Sequence, residues 1–163
     1  GAVVIANNEI AGWMQHTQRV AQTHGLNPGG GVQLPFGRVE LTIAHHSSSL
    51  PDGTYGGQPN GILILTNEGK TIYFAGDTSV FLDMQLIGQR GLDLAILPIG
   101  DYFTMGIEGS LQAIEFLRPK VVIPMHYNTF DKIAQDASSW AQRVQNETDA
   151  QPVVLDPGGT YQL

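Results

Sequence analysis

Gly69-Lys70-Thr71-Ile72-Tyr73-Phe74-Ala75-Gly76-Asp77-Thr78 is the stretch on which the fold class turns. Its β-branched and aromatic centre predicts a strand from Lys70 to Ala75, and the run ends on a carboxylate. Just upstream, Gly61 to Thr66 is a second apolar run, and Asn67-Glu68-Gly69 between them reads as the turn of a hairpin. Downstream the pattern changes period. Phe81 to Gln89 is helix-like, Leu94 to Pro98 a short continuous apolar strand, and Ile107 to Leu117 a helix with Ala113, Ile114 and Leu117 on one face. Val121 to Pro124 predicts another strand, Ala134 to Gln145 another helix and Val153 to Leu155 a last strand. This alternation argues for an α/β fold built on a substantial sheet.

Toward the N-terminus, Ala2 to Ala6 reads as a strand. Asn7 or Asn8 is placed to cap a helix whose apolar residues Ile10, Trp13, Met14, Val20 and Ala21 recur at roughly helical spacing. Gly25, Asn27, Pro28 and Gly29 to Gly31 predict a loop. Val32 to Leu34 and Val39 to Ala44 read as strands around Pro35-Phe36-Gly37, and His46 to Gly57 as a polar loop. No repeat, linker or boundary interrupts the sequence, so residues 1–163 read as one domain. The buried-strand pattern at the first residues predicts that the chain starts inside a larger fold.

The 163 residues suffice for a real core. A formal net charge of −7 lacks the basic footprint of a general nucleic-acid or anionic-membrane binder, so neither partner is expected. The absence of cysteine excludes disulfides, thiolate metal sites and a Cys nucleophile. No apolar run approaches the ~20 residues of a membrane span and no leader pattern is visible, which predicts a cytoplasmic protein.

Three strand-like runs each deliver a His or Asp where they end: Ala44-His45-His46-Ser47, Ala75-Gly76-Asp77-Thr78 and Pro124-Met125-His126-Tyr127. These residue types suit Zn, Mn or Fe, and strand ends are where α/β folds build sites. Each residue also has a plainer reading. A lone His is more often structural, and Asp77 would serve as a helix N-cap. The joint pattern favours a metal site. Successive strand residues face opposite ways, so only one of His45 and His46 should face it. Ser47, Asp101, Thr104, Tyr127 and Asn128 lie at the same strand ends and are candidates to orient a ligand or touch substrate. No G-x-S-x-G elbow, P-loop or G-x-G-x-x-G fingerprint occurs.

Ala44-His45-His46-Ser47-Ser48-Ser49, Asp52-Gly53-Thr54-Tyr55, the run Gly69 to Thr78, Leu97-Pro98-Ile99-Gly100-Asp101-Tyr102-Phe103-Thr104-Met105-Gly106 and Ile123-Pro124-Met125-His126-Tyr127-Asn128-Thr129-Phe130 together resemble the metallo-β-lactamase superfamily, nearest its UlaG-like metal-dependent hydrolases. The resemblance implies an αββα sandwich with a dinuclear site at one edge of two sheets. It implies His46 as a ligand of the first metal, Asp77 as the catalytic bridge between both, and His126 on the second. Two divalent ions are implied, Zn first, with Mn or Fe as alternatives. The family's H-x-H-x-D-H motif is absent from these residues. The chain therefore resembles the C-terminal portion of the fold. An N-terminal segment, expected as a separate chain, would complete the site; an apolar sheet face would lie open, and the chain alone would be inactive. The expected activity is hydrolysis of a small ester, lactone or phosphodiester, with a homo-oligomer as a further possibility. A non-catalytic half-domain that binds a partner through its exposed sheet is the alternative. A metal-free esterase is a third reading, which requires a Ser beside His45 or His126.

Overall fold

In the computed structural model, residues 2–17 and 20–163 are described. The hairpin expected at the centre is the backbone of the fold. Strand β5 (Asn60–Thr66) pairs antiparallel with β6 (Thr71–Phe74), Leu65 opposite Thr71 and Ile62 opposite Phe74. The turn is closed by Gly69 N–H donating to the Thr66 carbonyl at 3.0 Å and Lys70 N–H to the Thr66 hydroxyl at 3.1 Å. Before it come β3 (Gly31–Leu34) and β4 (Gly37–Ile43); after it, β7 (Leu94–Pro98), β8 (Val121–Met125) and β9 (Gln151–Pro152). The seven lie in sequence order, antiparallel from β3 to β6 and parallel from β6 to β9.

Three helices cover one face: α2 (Met84–Gly88), α3 (Ile107–Leu117) and α4 (Ala137–Glu147). Leu63, Tyr73, Ala95, Leu97 and Val122 point from the strands into the core they share with Met84, Ile114, Leu117, Trp140 and Val144. Trp140 is fully buried and its indole N–H donates to the Ser110 hydroxyl at 2.9 Å, which in turn donates to the Ile107 carbonyl. The opposite face is apolar too. Ile62, Phe74, Ile96 and Ile123 are register partners across four strands, and Phe74 is 39% exposed. Ile62, Ile96 and Ile123 beside it are half-buried.

A separate β-α-β unit precedes the sheet. β1 (Val3–Asn7) and β2 (Gln22–Leu26) pair in parallel around α1 (Asn8–His16). Asn7, not Asn8, caps the helix: its Oδ1 accepts from Ile10 N–H at 2.8 Å, while its Nδ2 donates to the Gly56 and Gln58 carbonyls. The large sheet with its helices and this small unit make the mixed α/β fold that was expected.

Four boundaries differ from the sequence reading. The first helix ends at His16 rather than reaching Val20 and Ala21, and Gln22–Leu26 is a strand, so His24 lies in β2. That segment has no apolar alternation; pairing with β1 makes the strand. The helix expected over Phe81 to Gln89 shortens to Met84–Gly88 behind a turn in which Met84 N–H reaches the Phe81 carbonyl. The helix expected from Ala134 starts at Ala137, because Asp136 accepts from Ser138 and Ser139 N–H and caps it there. A single 3-10 turn, Asp131–Ile133, precedes it. The last strand falls on Gln151–Pro152 instead of Val153–Leu155, although Val153 N–H still donates to the Val122 carbonyl.

Candidate metal centre

β4, β6, β7 and β8 all run in one direction, since β4 is two antiparallel steps from β6 and the others are parallel to it. Their C-terminal ends therefore share one rim, where open α/β sheets bind ligands. All the predicted site residues lie in the loops that leave this rim.

The loops after β4 and β6 are stitched together. Thr78, fully buried, accepts the His45 N–H on its hydroxyl at 2.9 Å, and Ser79 N–H donates to the His45 carbonyl at 3.3 Å. Met105 N–H donates to the Thr78 carbonyl at 2.9 Å and brings in the loop after β7. Thr78 is a residue whose role the sequence reading missed; its one signal is its place directly after Asp77.

Asp77 and His126 come together, with Asp77 Oδ2 3.5 Å from His126 Nε2. Two glycines permit this. Gly76 has φ +67, and a Cβ there would lie 2.6 Å from the Asn60 carbonyl oxygen. Gly100 lies against His126: a Cβ on it would come 2.1 Å from the His126 carbonyl oxygen and 3.2 Å from Nδ1. His126 and Asn128 hold left-handed φ values of 54° and 58°. Such conformations cost of order 1 kcal/mol or more each in non-glycine residues and collect at functional sites. Asn128 is fixed on both sides, its N–H on the Ile133 carbonyl and its Oδ1 accepting from Gln135 N–H at 2.7 Å.

The two histidines after β4 part company. The His45 ring stacks on Phe81 at 4.8 Å between centroids. In this structure His46 Nδ1 is 2.8 Å from the Ser47 carbonyl, and no cluster of three His, Asp or Glu donors forms among the described residues. Asp77 does not act as the N-cap that it could have been, because α2 starts at Met84. Its carboxylate, 46% exposed, takes no hydrogen bond among the described residues. Neither His45 nor His126 hydrogen-bonds a serine hydroxyl among the described residues, which leaves the metal-free esterase without its nucleophile.

The pair fits a divalent ion as two members of a donor set. Ligands of one tetrahedral ion at 2.0–2.2 Å lie about 3.4 Å apart, close to the separation here. His126 Nδ1 is buried against Gly100 without a partner among the described residues, so Nε2 is its outward-facing nitrogen.

The remaining candidates lie on the same loops of the rim. The Asp101 carboxylate lies against Gly106, and Thr104 donates its hydroxyl to the Met105 carbonyl. Tyr127 and Asn128 line a groove of about 540 Å³ that runs from His126 past Asp136 to Asp156. Burial, aided by the Asp156 charge, pushes the Tyr127 phenol up, so it stays a neutral donor at ordinary pH. His16, exposed on α1, lies outside the rim with its Nδ1 on the Gly12 carbonyl.

Comparison with known proteins gives the family. Residues 3–127 match the beta-lactamase superfamily domain. A UPF0173 metal-dependent hydrolase of Thermus thermophilus is 48% identical over all of this chain, which spans 71% of that protein's length. A relative of the same designation from Deinococcus radiodurans is 48% identical over 70% of its length. A metallo hydrolase of the archaeon Ignicoccus hospitalis superposes with a TM-score of 0.86 at 39% identity, over the whole chain and 70% of that structure. On its sequence, its sheet and its rim, this chain belongs to the beta-lactamase superfamily, among the UPF0173 metal-dependent hydrolases.

Proposed function

We propose that this chain carries half of a dinuclear, Zn-dependent hydrolase site, with Mn or Fe as alternative metals, for a small ester, lactone or phosphodiester in the cytoplasm. The observation that carries the reading is the Asp77–His126 approach of 3.5 Å at the ends of two strands. Asp77 would bridge two ions, His126 would hold the second, and His46 would join the first after turning from the Ser47 carbonyl. A bound pair of ions would supply a water of near-neutral pKa and a Lewis acid for the scissile oxygen. Around them Tyr127 donates a hydrogen bond to the substrate from the groove, and Asn128 holds the turn that aims His126. Asp101, Thr104 and Ser47 border the same space and position substrate or ligand. The donors that this sequence lacks would come from a polypeptide segment laid on the apolar face, and the chain without it would turn over nothing.

A second reading draws on that same face. The row Ile62–Phe74–Ile96–Ile123 suits docking of a partner protein by a non-catalytic half-domain. Intact mass spectrometry with metal analysis of the purified material separates the two. A companion polypeptide bearing H-x-H-x-D-H and about two metal equivalents per pair, with turnover of p-nitrophenyl acetate, a lactone or bis(p-nitrophenyl) phosphate, supports the hydrolase. Stable pairing without metal or turnover supports the second reading.

A further inference from the structure

Three aromatic rings stand open on the rim, unused by the site so far described. Tyr102, Phe103 and Phe130 are 61%, 51% and 48% exposed. Phe103 sits between the others, 4.6 Å from the Tyr102 ring at 73° and 6.2 Å from the Phe130 ring at 52°. Lys132 flanks the group, its Nζ 4.6 Å from the Tyr102 centroid and 3.1 Å from the hydroxyl.

These rings are held in place. Asp101 and Tyr102 adopt φ of 60° and 36°. Their turn is closed by Asp101 N–H on the Met105 carbonyl at 3.2 Å and Thr104 N–H on the Asp101 carbonyl at 2.8 Å. Phe130 is fixed by its carbonyl, which accepts Ile133 N–H at 3.1 Å. The cluster sits on the same two loops as Gly100 and His126. Tyr102 follows Gly100, which touches His126, by two residues, and Phe130 follows His126 by four.

Rings held open beside a polar site call for an apolar occupant. Three half-exposed rings offer on the order of 300 Å², well below the roughly 800 Å² per partner of a standard protein interface. That area suits one small apolar group. We propose that Tyr102, Phe103 and Phe130 form the platform for the apolar part of the substrate, which makes that substrate an ester or lactone carrying an aromatic or alkyl group next to its scissile bond. The proposal rests on the hydrolase reading above.

The test keeps the two apart by measuring binding as well as turnover. Benzyl methyl ether, which has no scissile ester, serves as the binding probe by saturation-transfer NMR on the full chain. Wild-type protein should bind it, and Phe103→Ala and Phe130→Ala should each weaken binding at least 5-fold, with Phe103→Leu recovering most of the loss. Leu86→Ala, which removes an equally exposed apolar residue from α2, should change nothing. With the completed, metal-loaded assembly, kcat/KM should rise from p-nitrophenyl acetate to hexanoate, and Phe103→Ala should flatten the rise. Ether binding by a completed, metal-loaded assembly that turns over no ester, lactone or phosphodiester would sink the hydrolase reading and leave the apolar site standing. Unchanged ether binding in both alanine variants would overturn the platform. So would a Phe103→Ala protein that sediments as a monomer where the wild type is a dimer, since the rings would then be an interface between copies.

Discussion

Asp93, one residue before β7, and Asp77, three residues beyond β6, are carboxylates at opposite ends of one parallel strand pair. Asp93 is buried and fully engaged, with Lys120 Nζ on Oδ1 at 2.8 Å and Thr71 N–H on Oδ2 at 2.9 Å. Those bonds hold its pKa below the usual carboxylate range against the opposing effect of burial. Asp77 is half open and, among the described residues, meets only His126. The backbone divides the same way. Of the five non-glycine residues with positive φ among the described residues, Asp101, Tyr102, His126 and Asn128 stand at the Asp77 end and Arg118 at the other. One end of the sheet spends its polar groups on the fold; the other keeps them free under strain, which is where chemistry needs them.

The sharpest way to isolate the stabilising half is Trp140→Ala. Emptying that fully buried position should cost about 4 kcal/mol and lower Tm by roughly 10 °C, with zinc uptake intact once the protein is folded. Asp77→Asn should do the reverse. Calorimetric zinc affinity should fall by about 100-fold or more, beyond what loss of an outer hydrogen-bond partner costs, with Tm unchanged. Asp93→Asn should destabilise by about 2 kcal/mol and leave zinc affinity alone. Because the folded pKa of Asp93 is lowered, its stabilisation is complete above the unfolded value near 4 and disappears as pH falls through the folded value. Urea midpoints of wild type and Asp93→Asn should therefore converge between pH 5 and pH 2. Equal losses of zinc affinity in the two Asp variants would erase the contrast between the ends.

Smaller effects refine it. His46→Ala should weaken zinc binding about 10-fold while His45→Ala, whose ring is spent on Phe81, leaves it nearly unchanged. Equal effects would reverse which histidine faces the site. Arg118→Gly, at the left-handed C-cap of α3 with φ 47°, should raise stability by about 0.5–1 kcal/mol in urea titration. Relief of the left-handed strain there outweighs the extra freedom that glycine gives the unfolded chain.

Much of this was readable in advance. The Gly61–Ala75 hairpin, Leu94–Pro98 and Ile107–Leu117 fall where their periodicity puts them, because each is set by local apolar patterning. Gln22–Leu26 escaped, since its strand exists only through β1. The helix start at Ala137 turned on a cap competing with Ala134 and Gln135. At the site, Asp77 and His126 were identified from their place after apolar runs, and the structure brings them together. What no pattern could give was the close packing of Gly100 on His126, a contact made between two loops. The aromatic residues of Asp101-Tyr102-Phe103 and Thr129-Phe130 were visible as letters, but their exposure was not.

The most direct test of the central claim is a zinc titration of the full chain followed by imidazole ¹⁵N shifts. The account predicts that Nε2 of His126 moves on zinc binding, and that the shift is lost in Asp77→Asn. Zinc that moved only His16 or His24, with His126 still, would contradict it.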